Sequence, residues 1–417
     1  MTIFNPVWRV TIEGTIYTNY TLANLTITSG RSNIYEQAQA GYVNLSLINL
    51  EQTTVSIEIN DAVTIELKDT NGDYVFLFGG NVVDFDISIS AAGNIGINQT
   101  INIIAVAALA RLTKVLTTGT LTADQDGDQI FHILSGILPE YWSQVAPAIT
   151  WATYSPPGTT WAQALNGDLG EIDRPGSYDL AARTANRIDA YSLVAALATS
   201  GLGYLYEDSQ GRVCYASSAH RTSYLSANGY TDVSAAQALW SGIRLATRAG
   251  DVRNSISLTY GANSANSITP VNDTDSIALY GNLAQLITTT LQNSVDADDQ
   301  AAFYLTLRSY PLAMMNQITF ELTNSEIDNV DRDALINIFM GLPLRIADLP
   351  LNMNSGTYEG FVEGFTWKAS YNSVSVTALL SPIAFSLQAM KWQDVSALEQ
   401  WSTISGILEW QDATIVA

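Results

Sequence analysis

Few residues of this sequence have the side chains that catalysis or metal binding requires. The only histidines, His132 and His220, are too few and too far apart to form a histidine metal cluster within one chain. The single cysteine, Cys214, lies in a strand-like run, where it is expected to fill core volume rather than to act as a nucleophile. The sequence lacks the motifs of zinc proteases, serine hydrolases, phosphate-binding loops and dinucleotide-binding loops. We therefore predict no catalytic residue, no metal site and no cofactor.

Two aspartate-rich stretches, residues 69–73 and 124–128, imitate calcium-binding loops. An EF-hand loop needs glycine at its sixth position for a sharp turn and glutamate at its twelfth as a bidentate ligand. Neither stretch has these residues, and Gly80 and Ser135 occupy the twelfth positions. We interpret the first stretch as a hairpin turn and the second as the start of a helix.

The composition indicates a β-rich protein with several domains. The 417 residues are 47% apolar and only 14% charged, and Thr, Ser, Asn, Tyr and Ile are abundant. No apolar run is long enough to cross a bilayer and the N-terminus lacks a basic region, so a soluble, unsecreted protein is expected. One cysteine excludes an internal disulfide, and stability must come from packing and assembly.

The chain is strongly acidic, with a formal charge of -22 from 40 acidic and 18 basic residues. The acids are spread along the chain. Stable binding of DNA or RNA needs lysine and arginine to neutralise phosphates, so this charge disfavours it. Two interpretations remain open: acidity that keeps the protein soluble, and acidity that lines a conduit through which nucleic acid passes without adhering.

A pattern of strands and turns occurs twice in the sequence. Each copy has a short strand, a turn, a glycine-containing strand and a closing strand. The first copy covers 63–67, 69–73, 74–85 and 101–106, and the second covers 344–346, 352–356, 358–365 and 374–380. Asn71-Gly72 is a strong hairpin signal. A chain that builds one β-module twice can turn three subunits into a six-fold ring.

We predict a mainly β fold with α+β inserts: two related antiparallel β-barrel-like domains, a small α+β insert and a helical segment. The predicted domains are residues 1–115 and 246–385 for the two barrels, 116–245 for the insert and 386–417 for a C-terminal segment, with the helical segment at about 285–340. Helical spacing and capping residues predict helices over 128–138, 192–199, 296–309 and 331–339.

The C-terminal segment contains three tryptophans at equal spacing, Trp392, Trp401 and Trp410. Three exposed indoles would be an unfavourable arrangement for a free tail. We therefore expect short strands or turns that bury each ring, either within the chain or against a partner. These tryptophans are the candidate packing or interface residues.

Three regions together resemble the tail-hub proteins of tailed bacteriophages, a family related to the baseplate hub of contractile tails and to the hub half of type VI secretion spikes. A Gly-Arg turn, Gly30-Arg31, is followed by the strand-like run 37–49. The run 251–260 resembles a strand that re-enters the ring after an insert. The stretches that resemble the closing barrel are 341–350, 361–365 and 379–382.

The resemblance implies a structural virion protein: a homotrimeric hub at the tail tip that closes the tail tube, joins a six-fold tube to a three-fold tip and forms a channel for DNA. It implies contacts with a distal tail or tail-tube ring protein, the tape measure protein and tip fibres or receptor-binding proteins, with genomic DNA only in transit. Assembly in the host cytoplasm and a final place at the virion tail tip follow from it. Family members often continue into a fibre or a peptidoglycan-cutting domain; because this sequence stops at Ala417, we expect cell-wall cleavage and receptor binding by such an extension on separate proteins.

Two other classes of function remain as alternatives. The first is a distal tail or receptor-binding tip protein. The second is a carbohydrate-active enzyme or adhesin, since glycosidases use paired carboxylates and tyrosine and tryptophan stack on sugars. With 40 acidic residues the sequence singles out no such pair.

Overall fold

The computed structural model describes residues 4–51, 53–91, 97–141, 151–153, 170–238, 243–247, 249–351, 353 and 356–382. Trp392, Trp401 and Trp410, and with them the predicted segment 386–417, lie outside these residues. Among the described residues, no helix is long and apolar enough to cross a membrane.

A 13-stranded sheet, which is antiparallel except for one pair of strands, forms the main body of the protein. Its N-terminal strands are β1 (Trp8–Ile12), β2 (Thr15–Ile16), β3 (Tyr20–Gly30), β4 (Gln39–Asn49), β5 (Ala62–Lys68), β6 (Tyr74–Ala91) and β7 (Ile97–Val106). Its later strands are β16 (Thr231–Ser234), β17 (Arg244–Thr247), β22 (Ala313–Glu321), β23 (Pro343–Ala347), β24 (Tyr358–Ser370) and β25 (Ser373–Pro382). The parallel pair is β16 with β23.

The same strand order occurs twice in this sheet. The N-terminal copy has the order β3-β4-β7-β6-β5, and the C-terminal copy has the order β17-β22-β25-β24-β23. Each copy also has a bulge at the same place, between Val82 and Asp84 in β6 and between Val362 and Gly364 in β24. Antiparallel pairing of β24 with β3 joins the two copies into one continuous sheet.

Alternating side chains explain why these segments form half-buried strands. In β4, Val43, Leu45 and Leu47 are buried and the residues between them are half-buried or exposed. The turn between β5 and β6 is the predicted hairpin, in which the Asp69 carboxylate accepts hydrogen bonds from the backbone N–H groups of Gly72 and Asp73. The interpretation of residues 69–73 as a turn is therefore confirmed.

The region between β7 and β16 is mixed α and β. Its strands are β8 (Leu116–Thr117), β9 (Asp124–Gln125), β10 (Trp151–Thr153), β11 (Gly170–Ile172), β12 (Asp179–Leu180), β13 (Ile188–Asp189), β14 (Tyr204–Glu207) and β15 (Val213–Ala216). Its helices are α1 (Leu109–Leu112), α2 (Asp126–Tyr141), α3 (Ala190–Ser200) and α4 (His220–Asn228). Helix α2 begins at Asp126, as predicted for residues 124–128.

A second small sheet lies between β17 and β22. It contains β18 (Ser255–Tyr260), β19 (Asn266–Ser267), β20 (Val271–Asn272) and β21 (Ala284–Thr288). Three helices of the described structure lie in or after this sheet along the chain. These helices are α5 (Thr274–Tyr280), α6 (Ser294–Arg308) and α7 (Asn329–Ile336). Strands β19 and β20 pair with β18 through backbone hydrogen bonds and need no apolar pattern, so they leave no signal in the sequence.

Polar side chains cap most of the later helices. Asp189, Asp273, Asn293 and Asp328 each accept a hydrogen bond from a backbone N–H of the first turn of α3, α5, α6 and α7. Such caps stabilise a helix end by about 1 kcal/mol. They explain why α3, α6 and α7 begin within a few residues of the positions predicted from sequence, whereas α5 was not predicted.

Two apolar cores hold the fold together. The first lies under the large sheet and includes Val43, Ile103, Phe320 and Trp367. The second joins the mixed region to the small sheet of β18–β21 and to α6, with Leu197, Tyr215, Leu258 and Ala301 among its members. The mainly β fold with α+β inserts is confirmed. The predicted domain boundaries stay a prediction. In the structure, β16 of the insert pairs with β23 of the large sheet, and residues of β18–β21 and α6 share the core of the insert.

The hairpin β14–β15 contacts the large sheet so closely that side chains are excluded. A Cβ on Gly79 of β6 would overlap the backbone carbonyl of Gln210, and a Cβ on Gly211 would overlap the carbonyl of Gly79. Gly211 also has a φ of +78°, which favours glycine.

We expect Gly79→Ala to lower the free energy of unfolding by about 1–3 kcal/mol, because the hairpin must move away from the sheet. The measurement is urea unfolding. Gly136→Ala is the matched control: its Cβ would meet nothing within 4 Å, and a glycine-to-alanine change inside α2 is expected to stabilise slightly. Equal losses in both variants would contradict the close contact.

Candidate functional site

The two copies of the strand order meet at a buried cluster of charged residues. Glu363 is the extra residue in the bulge of β24, and Arg31 directly follows β3. Arg221 comes from α4 of the insert. The Gly30-Arg31 turn and the 361–365 stretch, which carry the family resemblance in the sequence, therefore lie in contact, and the insert adds a third component.

The carboxylate of Glu363 is fully engaged by hydrogen bonds. Arg31 Nε donates to Oε2 at 2.6 Å, and the two terminal nitrogens of Arg221 donate to Oε1 and Oε2 at 2.7 and 2.9 Å. Ser381 Oγ on β25 also donates to Oε1. The side chain of Glu363 is only 2% exposed. The carboxylate is therefore enclosed by protein, whereas Arg31, Tyr204 and Arg221 also line a pocket beside it.

Backbone contact at the same place requires glycine. Arg31 N donates to Glu363 O at 2.8 Å, which brings the two strands together beside the bulge. A Cβ on Gly30 would overlap Glu363 O, and Gly30 has a φ of +90°. A Cβ on Gly364 would meet the carbonyl oxygens of Arg31 and Ser29. The Gly-Arg turn is thus fixed by the close approach of two backbones.

Aromatic rings cover the two guanidinium groups. The ring of Tyr204 on β14 lies 4.4 Å from Arg221 Cζ and 5.1 Å from Arg31 Cζ, and the ring of Phe361 lies 5.2 Å from Arg221 Cζ. Cations over aromatic faces are attracted by the ring quadrupole, and more strongly when water is excluded. The insert therefore contributes both a charge and an aromatic cover to the junction.

The electrostatics of the cluster favour the ionised carboxylate. Burial alone would raise the pKa of Glu363, but the guanidinium groups of Arg221 and Arg31 outweigh burial and hold the pKa well below its ordinary value. Removing one partner of a buried ion pair leaves an uncompensated charge in a dry site. Ion pairs of the cluster therefore link the two sheet copies to each other and to the insert.

A second buried carboxylate connects the sheet to the insert. Glu207 on β14 accepts hydrogen bonds from Gly41 N of β4, at 2.5 Å, and from Leu109 N of α1. Burial raises the pKa of Glu207 to about 7, although the two backbone donors oppose the shift. Gln37 adds a neighbouring contact, in which Leu205 N donates to its Oε1 at 2.9 Å.

The residues considered for chemistry in the sequence occupy structural positions. His132 is exposed on α2, whereas His220 is buried at the start of α4 and contacts Asp173 through Nδ1 at 2.8 Å. Cys214 is buried in β15. Asp126 accepts hydrogen bonds from Ser177 N and Tyr178 N. Within the described ranges, no three His, Cys, Asp or Glu residues are grouped so as to hold a metal ion.

Sequence reasoning found Arg31 and Glu363 only as parts of a resemblance, and it missed Arg221 and Glu207. Arg221 is separated from Glu363 by 142 residues, and no periodic pattern links them. A weak signal for Glu207 exists in hindsight: it is a charged residue in the otherwise apolar run Tyr204–Glu207. A charge in a buried strand needs a specific partner.

We expect Glu363→Gln to lower the free energy of unfolding by roughly 3–5 kcal/mol, since two guanidinium groups then remain buried without a counter-charge. The measurement is urea unfolding at neutral pH. Asp232→Asn is the matched control, because its ion pair with Arg345 is 59% and 43% exposed and contributes about 0–1 kcal/mol. A loss as small in Glu363→Gln as in the control would contradict the role of the cluster.

The shifted pKa of Glu207 predicts a pH dependence. Its folded pKa of about 7 lies above the ordinary 4.5, so between these values the folded protein binds more protons than the unfolded chain. The free energy of unfolding should therefore fall as pH rises through this window, by roughly 3 kcal/mol from this group. Unfolding curves from pH 4 to 8 measure it, and Glu207→Gln should flatten the profile. Parallel profiles of the two proteins would contradict the assignment.

Solved structures of other proteins share this architecture. No family model and no curated protein matches the sequence. The structure is similar to the 43 kDa tail protein of prophage MuSo2 from Shewanella oneidensis, with a TM-score of 0.51 and 12% identity over 91% of this chain and 99% of that chain. It is also similar to the tail protein from Neisseria meningitidis, with a TM-score of 0.57 and 9% identity over 91% of this chain and 97% of that chain. The chain therefore has the fold of phage tail proteins, as the resemblance predicted.

Proposed function

We propose that this chain is a structural protein of a bacteriophage tail, and that three copies form a hub at the tail tip. The observation that carries the proposal is the strand order that occurs twice in one continuous sheet. Three chains with two copies each would present six related modules, which allows a three-fold tip to join a six-fold tube. The fold shared with phage tail proteins supports a place in the virion tail.

The buried cluster around Glu363 supports a mechanical rather than a chemical role. It fixes the angle between the two copies within one chain, because Arg31, Glu363 and Arg221 come from both copies and from the insert. A ring subunit needs this rigidity, since an error in the angle between modules adds up around the ring. In this proposal the chain acts through its shape, and the cluster holds the two sheet copies in a fixed orientation.

The partners follow from a position at the tip. We propose that one face of the ring contacts a distal tail or tail-tube ring protein and the tape measure protein, and that the other carries tip fibres or receptor-binding proteins. The channel would pass genomic DNA without holding it. A charge of -22 per chain supports this, because few basic residues are available to neutralise phosphates.

We expect the purified chain to form a homotrimer, either alone at high concentration or when the neighbouring tail proteins are added. Native mass spectrometry measures the stoichiometry, and a particle reconstruction should show six similar modules around a channel. A chain that stays monomeric under both conditions would contradict the hub.

DNA binding provides a separate check on the channel. Weak duplex binding is expected even at low salt, where attraction between basic residues and phosphates is least screened. Binding tighter than micromolar, or a ring lumen lined by basic side chains, would contradict passage of DNA through a non-adhesive channel while leaving the trimer intact.

A further inference from the structure

The two copies of the strand order differ in what lies beside their long strand. The first half of β24 pairs with β23, and its second half, Gly364–Ser370, pairs with β3. The first half of β6 pairs with β5 as far as Asn81. Beyond that residue, no strand of the described structure pairs with this side of β6. In the described part of the chain, this edge of the N-terminal copy is therefore open where the C-terminal copy is closed.

The bulges fix which residues correspond. Counting from each bulge, Phe85 corresponds to Phe365, Ile87 to Trp367 and Ile89 to Ala369. The three residues in β24 are 6%, 1% and 5% exposed, since they belong to the core under the large sheet, and β3 pairs beside them. In contrast, Ile87 is 41% exposed and Ile89 is 67% exposed. The open edge of β6 thus carries an apolar stripe whose counterpart is covered.

The strand that corresponds to β3 also has an unpaired edge in the described structure. Strand β17 corresponds to β3, since β17 pairs with β22 as β3 pairs with β4. On its other side β3 pairs with β24, whereas β17 is the end of the large sheet. Arg244 and Thr247 are exposed there, and Leu245 is half-buried. Among the described residues there is thus one open edge of each kind.

We propose that residues 85–89 of β6 pair in an antiparallel manner with residues 243–247 of a second copy of this chain. The proposal deepens the hub proposed above by naming the contact between subunits. Arg244 corresponds to Thr26, because their partners Gln317 and Asn44 lie at equivalent positions counted from the two bulges. Transfer of the β24–β3 register then places Phe85 opposite Thr247, Ile87 opposite Leu245 and Ile89 opposite Ile243. In-chain pairing of the same two strand types is the template for this contact.

The side chains fit this register. Ile87 and Ile89 would lie on the same face as Leu245 and Ile243, which closes the apolar stripe. On the opposite face, Asp86 would lie diagonally across from Arg244, which brings opposite charges together. Because the two edges are different parts of the chain, the contact is head-to-tail, and repetition gives a closed ring or an open filament.

Disulfide cross-linking tests the pairing directly. Residues directly opposite in antiparallel strands have Cα atoms about 4.5–5.5 Å apart, within the range that a disulfide spans. The only native cysteine, Cys214, is 2% exposed and leaves a clean background. Tagged Ile87→Cys is mixed with untagged Leu245→Cys, assembled and oxidised. We expect a disulfide-linked pair of one tagged and one untagged chain.

The matched control moves the cysteine from the open edge of β6 to strand β2. Ile16→Cys places a cysteine at a residue of β2 that is 49% exposed, at the far end of the large sheet. Mixed with Leu245→Cys, it should give at least tenfold less cross-linked product. Equal cross-linking in the two mixtures, or no product from Ile87→Cys with Leu245→Cys, would overturn the pairing.

A second variant keeps the test independent of cysteine chemistry. Ile87→Lys puts a charge on a residue that is exposed in the single chain, so the chain should fold, with the same unfolding midpoint as Ile16→Lys. Association between copies should weaken at least tenfold in Ile87→Lys and stay unchanged in Ile16→Lys. Unchanged association in both would overturn the proposal.

The outcomes separate this inference from the proposed hub. Trimers that form without the cross-link would leave the hub standing and overturn the pairing. A cross-linked filament, or a ring of another size, would support the pairing and contradict the trimer. A chain that remains monomeric with its neighbouring tail proteins would contradict both.

Discussion

The buried carboxylate of Glu363 is the constraint on which the arrangement of the chain depends. An ion of this size loses several kcal/mol of hydration when it enters a protein interior, and only close, hydrogen-bonded counter-charges offset the loss. Arg31 comes from the first sheet copy and Arg221 from the insert, so the cost is offset only when all three parts are in place. The charge therefore makes the assembled arrangement specific as well as stable.

The two copies use one bulge in two ways. A bulge adds a residue and turns its side chain out of the regular alternation. In β24 the extra residue is Glu363, which ties the strand to Arg31 and closes the junction within the chain. In β6 the corresponding residue is Val83, which is exposed and has no charge to satisfy. In the described structure, the repeated backbone pattern thus carries a closed junction in one copy and an unpaired edge in the other.

Much of the fold was predictable because strands leave a periodic signal. Alternation in β4, the Asn71-Gly72 turn and the glycine-containing runs at β6 and β24 located the strands and their repetition. The contacts of Arg221 and Glu207 were not predictable, since single charges paired across the fold have no local pattern. The pairing of β16 with β23 and the two-residue strands β19 and β20 depend on backbone hydrogen bonds, which sequence does not display.

The acidity of the chain and its open sheet edge are connected. An exposed strand with an apolar stripe is a template for uncontrolled association. A charge of -22 makes distant approach of two copies unfavourable, and Asp84 and Asp86 place part of that charge on the edge strand itself. Repulsion of this kind decays over about 10 Å at moderate salt, whereas strand pairing acts at contact. Chance encounters between copies are therefore disfavoured, whereas the proposed register, with Ile87 opposite Leu245 and Arg244 near Asp86, would still allow the edge to pair.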